Sequence, residues 1–336
     1  MTKNEIMQDV CAQEGLIDVH THVGIDPVSF LNGDFPYALS AEDLVFRMDA
    51  QNIDYAVCFP FIYTSYFQLH SFANGEFEHD PENPSSFPYE VENRRLCREI
   101  YDAFPQFAGR VLPFLFFDPG RQTEAQVSLL NDLCQEYPLF GLKTATSYLQ
   151  SHISELNNEG SCLLDLAAER NLPMTIHSAV MPGDPWANVF EILDVVKSHP
   201  EVRFSVAHTC RFDRSALETA AGLENCYVDF SAFHIHCKLA EQNHPAVAVE
   251  EERFPTDYRE HAVAMQQIAE AYPDTMMWGT DTPAYYFISR FFNDKGKEIE
   301  MSLPCAPWTE IREFRKLPED LRRKIAYENT IRFLFG

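Results

Sequence analysis

Short runs of apolar and β-branched residues alternate along this chain with longer stretches in which apolar positions recur three or four apart, the pattern of β-α units that build a parallel sheet. The short runs fall near Leu16–His20, Tyr55–Pro60, Arg110–Phe116, Phe140–Ala145, Pro173–His177, Arg203–His208, Cys226–Ser231 and Thr275–Thr280. The helical stretches fit Tyr89–Phe104, Gln122–Tyr137, Ala187–Ser198, Asp213–Gly222 and Tyr258–Tyr272. Ser40 with Asp43 offers a capping signal ahead of Leu44, Val45 and Met48, and Ser161 stands ahead of Leu163, Leu164 and Leu166. Pro318 opens a closing helix that runs toward Phe333. Strands alternating with helices in this number predict an α/β fold, a closed (β/α)8 TIM barrel, as a single domain over residues 1–336.

Two connections exceed ordinary loop lengths. Phe61–Pro88 follows the second strand and is rich in Phe, Tyr, Pro, Asn and Ser, and Ala232–Thr256 follows the seventh. Both emerge at the C-terminal rim, where barrel enzymes build their pockets, so they are expected to be substrate-side loops. Phe61, Tyr63, Tyr66 and Phe67 are the expected aromatic walls of that pocket, with a packed lid as the alternative.

Composition narrows the class of protein. With 336 residues and 46% hydrophobic content, the chain can bury one large core. Residues 1–15 carry Glu5, Asp9 and Glu14 and lack the basic start and apolar run of a secretory signal. No stretch of about eighteen apolar residues marks a membrane span. The nine cysteines are scattered without a C-x-x-C pair, which argues against a disulfide framework or a structural zinc site. A cytoplasmic protein is expected. The 51 acidic residues against 26 basic ones give a formal charge of −25, which repels polyanions and excludes nucleic acid and acidic membranes as partners. A small-molecule substrate fits better, anionic only where basic groups converge locally. A homodimer is expected simply because such pairing is common among enzymes.

The candidate chemistry sits at strand ends. Leu16-Ile-Asp-Val-His20-Thr-His22 closes an apolar run with two histidines two apart, and alternation along a strand sends both to the same side. Two imidazoles on one face suit a metal, although about 0.4 such pairs arise by chance at this histidine content. Indeed His234-Ile-His236 is a second pair, to which no metal is assigned. Repetition of context carries more weight: His177 ends Pro-Met-Thr-Ile-His, His208 ends Phe-Ser-Val-Ala-His, and Asp281 follows Met-Met-Trp-Gly-Thr. Each would reach the rim where barrel catalysis occurs. Asp18 would share the inward face with His20 as a buried hydrogen-bonding group.

These residues, with Gly141-Leu-Lys143, Val228-Asp-Phe-Ser231 and the closing Asn329-Thr-Ile-Arg-Phe-Leu-Phe335, make the chain resemble the amidohydrolase superfamily. Within it, the sequence is similar to the amidohydrolase-related branch that includes aminocarboxymuconate-semialdehyde decarboxylase. The resemblance covers nearly the whole chain. It implies that His20, His22, His177 and Asp281 are metal ligands and that His208 is a catalytic or electrophilic histidine. Three imidazoles and a carboxylate suit Zn2+, with Mn2+ as the alternative. Such a metal would activate water for attack, with Asp281 accepting its proton and His208 polarising the substrate oxygen. Binuclear members of the superfamily carry a carboxylated lysine that bridges two metals; here Lys143 is read instead as a positive group beside a single metal. The branch commonly has a histidine shortly after that lysine, whereas this chain continues Lys143-Thr-Ala-Thr-Ser-Tyr148.

The leading expectation is a hydrolase that cleaves a small-molecule amide, ester or lactone with metal-activated water. The alternative is nonoxidative decarboxylation of a small unsaturated or aromatic carboxylic acid, which would need a carboxylate clamp from Arg47, Lys143 or Arg211. A ligand-binding barrel without turnover is the third reading. His208 and Asp281 beside the expected ligands speak against it, because a purely structural site is closed by its own ligands.

Overall fold

The computed structural model describes residues 1–31, 38–283, 286–292, 296–305 and 307–336. Its centre is a ring of parallel strands: β1 (Ile17–Ile25), β2 (Tyr55–Pro60), β3 (Val111–Phe116), β4 (Gly141–Thr144), β5 (Met174–Ile176), β6 (Phe204–Val206), β7 (Cys226–Asp229) and β8 (Met276–Met277). Each strand pairs in parallel with the next. The ring closes where Val19 N–H donates to Trp278 O at 3.2 Å, Asp281 N–H to His20 O at 2.8 Å and His22 N–H to Thr282 O at 2.7 Å. Gly279 permits this approach, since a Cβ there would stand 2.9 Å from the His20 Cβ. The fold is the expected (β/α)8 barrel.

Alternation sorts the side chains into an inner and an outer layer. Tyr55, Val57 and Phe59 of β2 and Leu112, Phe114 and Phe116 of β3 share one buried cluster, whereas Ala56, Cys58, Val111 and Leu115 join the cluster beneath the surrounding helices. The terminal helix Asn329–Phe335 plugs the end where the strands begin: Phe333 lies 6.1 Å from Phe114 and 5.6 Å from Tyr227, and Phe335 lies 6.2 Å from Phe140. Aromatic packing therefore fills one end of the barrel and leaves the strand C-termini for chemistry.

Local signals account for most helices. Ser40 and Asp43 form a reciprocal capping box on Ala41–Ala50, whose buried face is Ala41, Leu44, Val45 and Met48. Thr123–Glu136, Val189–Ser198, Arg214–Ala221 and His261–Ala271 lie where the apolar periodicity puts them. The expected Tyr89–Phe104 helix is Glu90–Arg98 continued by a wider turn through Ala103. Ser161 is the first helical residue rather than the cap, which is Gly160. Several elements go beyond the sequence pattern. Lys3–Gln13 is a helix with its own Thr2–Glu5 capping box but only Ile6 and Val10 buried, too sparse an apolar stripe to read. Tyr286–Phe292 and Glu298–Pro304 form an antiparallel hairpin after β8.

The two long connections are more ordered than expected. Ala232–Thr256 is not a plain loop, because Phe233–Glu241 is a helix. Its apolar positions Phe233, Ile235, Cys237 and Leu239 are all buried, so its packing gives no clean helical stripe. Phe61–Pro88 carries the short helix Leu69–Ala73. The nine cysteines are free thiols, and no described helix is long and apolar enough to cross a membrane.

Candidate active site

The C-terminal ends of the strands surround a cavity of about 450 Å3, lined among others by His20, His22, Lys143, His177, His208, Arg211 and Asp281. Its metal-binding potential begins with a bulge in β1. Asp18 pairs with Ala56 and Thr21 with Cys58, so three residue steps on β1 oppose two on β2. The register shifts between Asp18 and Thr21, and the expectation that Asp18 shares an inward face with His20 is corrected accordingly: Asp18 lies beside Ala56 of the outer layer, whereas His22 lies beside Phe59 of the inner one. Asp18 instead staples the barrel shut. It accepts from Thr280 N–H at 3.0 Å, Thr280 Oγ1 at 2.6 Å and His20 N–H at 3.1 Å, while burial pushes its carboxyl up to about 7.

His20, His22 and Asp281 bring ligand atoms within 4.8 Å of one another. Each imidazole is oriented from behind. His20 donates through Nδ1 to Asp229 Oδ2 at 3.0 Å, and His22 through Nδ1 to Pro60 O at 2.9 Å. Both Nε2 lone pairs are therefore turned toward Asp281 Oδ1, at 3.3 and 3.5 Å. Burial alone would raise the Asp281 pKa, but His20, His22 and Lys143 outweigh it and hold it below the ordinary value. The carboxylate thus stays ionised at neutral pH. Two oriented imidazoles and one carboxylate suit a divalent cation, and three protein ligands leave a coordination position open, as catalytic metal sites do. Among the described residues this is the one such cluster.

Lys143 is fully inside. Its Nζ lies 3.4 Å from His20 Nε2 and 4.9 Å from the Phe59 ring centre, and burial lowers its pKa to about 8.

His177 and His208 stand beside the cluster rather than in it. Arg211, which can only donate, gives an N–H to His177 Nε2 at 2.9 Å. His177 must then carry its proton on Nδ1 and donate to His208 Nε2 at 3.0 Å. His208 in turn donates from Nδ1 toward Ser231, whose Oγ is 2.9 Å away and whose carbonyl is 3.2 Å away. Ser231 Oγ–H passes the chain to Asp229 Oδ1. Burial first, and then the Arg211 charge, lower both histidines well below their ordinary pKa, so both are neutral. His177, expected as the fourth ligand, has both ring nitrogens occupied by this chain.

Asp229, unassigned by sequence, is the hub of the network. Burial would raise its pKa, but the adjoining His20 with its hydrogen bond, the Lys143 charge and the Ser231 hydrogen bond hold it well below the carboxylate range. It also accepts from the His208 N–H at 3.1 Å. It ends an apolar strand just as the histidines do, and that was its available signal. His236 was also missed. It projects from the helix after β7 to accept a hydrogen bond from Arg211.

The strand-6 end is locally strained. His208, Thr209, Cys210, Arg211 and Phe212 all have φ between 48° and 66°, a left-handed turn that costs non-glycine residues on the order of 1–2 kcal/mol each. The turn is buried and pinned by Thr209 Oγ1 to Asp229 O at 3.3 Å, Ala248 N–H to Arg211 O at 2.9 Å and Phe254 N–H to Phe212 O at 2.9 Å. It places His208 and Arg211, one turn apart, in the same cavity.

Three expected substrate contacts need correction. Phe61 and Tyr63 line the cavity, stacked 6.2 Å apart. Tyr66 and Phe67 do not: they pack into the loop's own core, where Tyr66 stacks on His79 and bonds Gln122, and Phe67 contacts Phe72 and Phe77. A loop of this length needs apolar residues to hold itself together. Arg47 lies in the helix Ala41–Ala50 against the outer layer and does not line the cavity. Arg211 does.

The profile of the Amidohydrolase family matches residues 17–336. This chain belongs to the amidohydrolase family. It is an enzyme of that superfamily. Among solved structures, it is similar to an uncharacterized TIM-barrel protein of Bordetella bronchiseptica, at 13% identity and a TM-score of 0.58 over 95% of this chain and 98% of that one. An amidohydrolase of Burkholderia multivorans with bound Zn matches at 11% identity and a TM-score of 0.57, covering 95% and 98%. The Metarhizium anisopliae IDCase in apo form matches at 15% and 0.52, covering 95% and 97%. At these identities the structures speak for the barrel. No curated protein matches the sequence.

Proposed function

We propose that this amidohydrolase is a hydrolase that cleaves an amide, ester or lactone bond of a small molecule by water attack. The observation that carries the reading is the cluster of His20, His22 and ionised Asp281 at the mouth of a closed barrel, with both imidazoles oriented by acceptors behind them. A divalent metal, Zn2+ first and Mn2+ second, would be held by these three residues and would supply an activated water and an electrophile for the substrate oxygen. Asp281 accepts the proton of the attacking water and returns it to the leaving group. His208 stands beside the cluster, its ring 5.4 Å from that of His20, and would steady negative charge developing on the substrate oxygen once Nε2 gives up the bond from His177 and carries a proton. His177 adds a fourth ligand when its ring gives up the bond from Arg211. Phe61 and Tyr63 form an aromatic wall and exclude water from the reacting bond.

Asp281→Asn keeps the size and one oxygen donor but removes the base. Turnover in a broad ester, lactone and amide screen is expected to fall about a hundredfold or more, with metal content falling far less. Near wild-type turnover in this variant would sink the mechanism.

A further inference from the structure

Arg211 is a buried guanidinium whose hydrogen-bond partners are all neutral. Nε donates to Ser178 O at 2.6 Å, and the two η nitrogens donate to His236 Nε2 and to His177 Nε2. Both imidazoles meet Arg211 through Nε2, and since a guanidinium can only donate, that nitrogen carries no proton and neither ring is an imidazolium. A guanidinium has two N–H groups on each η nitrogen, so each keeps one with no acceptor among the described residues. The carboxylates of Asp184, Asp281 and Asp229 act on Arg211 only through space. A buried cation without a contacting anion is costly, and the side chain lies on the wall of the substrate cavity, so a bound anion would relieve that cost.

Two further observations point the same way. The left-handed turn at residues 208–212 is conformationally expensive, and what it achieves is the placement of Arg211 in the cavity beside His208. In the same cavity, Ser147 Oγ and Asp184 Oδ1 are buried polar atoms without a protein partner. Such a wall is built to receive polar groups from a ligand.

We propose that Arg211 is the anion anchor of this cavity and that the substrate carries a carboxylate, seated on the free η N–H groups while its reacting bond lies at the His20, His22 and Asp281 cluster. The inference rests on the reading of this cavity as the substrate site. A carboxylate matches the fork of two parallel donors, so the anchor fixes orientation as well as charge.

Calorimetric titration with benzoate and with its neutral isostere benzamide tests the anchor, in the metal-loaded protein and after chelation. Benzoate is expected to bind at least about tenfold tighter than benzamide, and that preference should survive chelation. Arg211→Met should abolish the preference, and Arg211→Lys, which keeps the charge but not the fork, should retain part of it. Asp184→Asn should strengthen benzoate binding severalfold by removing a negative neighbour. Equal binding of the two probes, undetectable benzoate binding by the wild-type protein, or a preference that disappears with the metal would overturn the proposal. If Arg211→Met does not fold, unchanged benzoate affinity in Asp184→Asn overturns it independently. Metal-independent turnover would defeat the hydrolytic mechanism while leaving these binding results intact.

Discussion

The chain contains two His-x-His pairs, His20-Thr-His22 and His234-Ile-His236, and the fold puts them to opposite uses. The first lies on β1, where residues two apart return to the same side, and both rings present Nε2 to Asp281. The second lies on the helix Phe233–Glu241, where residues two apart point about 200° from each other. His236 turns into the cavity against Arg211, while His234 turns away, 2.8 Å from His261, with its N–H on Glu310. The same spacing makes a chelating pair on a strand and a divided pair on a helix. Spacing acquires chemical meaning only through the period of the element that carries it.

The largest expected effect tests that contrast directly. His22→Ala should lower bound metal at least about tenfold and turnover by more, because it removes an oriented ligand without opening the packed layers beneath. His234→Ala should leave both near wild type. Metal analysis of the two purified variants decides it, and equal losses would erase the distinction.

A smaller effect is expected one bond behind the cluster. Asp229→Asn removes the charge that orients His20 through Nδ1, so metal affinity measured by chelator competition should fall about ten- to a hundredfold, the range for such supporting partners. Unchanged affinity would reduce Asp229 to a structural acceptor for the His208 and Ser231 backbone.

The smallest effect concerns the His234 side. Burial raises the Glu310 pKa from 4.5 to about 8, so between those values the folded protein keeps a proton that the unfolded chain releases. The resulting stability is complete below pH 4.5 and is lost as pH rises through about 8. Glu310→Gln should level this part of the profile. Relative to the variant, the wild-type melting temperature should drop by a few degrees between pH 5 and pH 9, and parallel profiles would contradict the assignment.

Much of this architecture was legible because it is periodic. The runs at Tyr55–Pro60 and Val111–Phe116 are continuous apolar segments, and only a strand buried on both faces reads that way. The residues His20, His208 and Asp281 were visible for the complementary reason: a polar group that ends such a run has nowhere to go but the rim. The same rule applies to Asp229, which ends the run Cys226–Asp229. Tyr66 and Phe67 were misplaced because an aromatic-rich loop reads alike whether its rings face a ligand or one another.

The order of strands and helices, the capping box at Ser40 and the set of polar residues delivered to one end of the barrel depend on neighbours a few positions away, and local patterns therefore carry them. Which of those residues meet is set by the folded chain. The bulge after Asp18, the left-handed turn at residues 208–212 and the chain from Arg211 through His177, His208 and Ser231 to Asp229 join segments far apart in sequence. Hydrogen bonds act over about 3 Å, so whether His177 turns to a metal or to Arg211 depends on distances that no local pattern encodes.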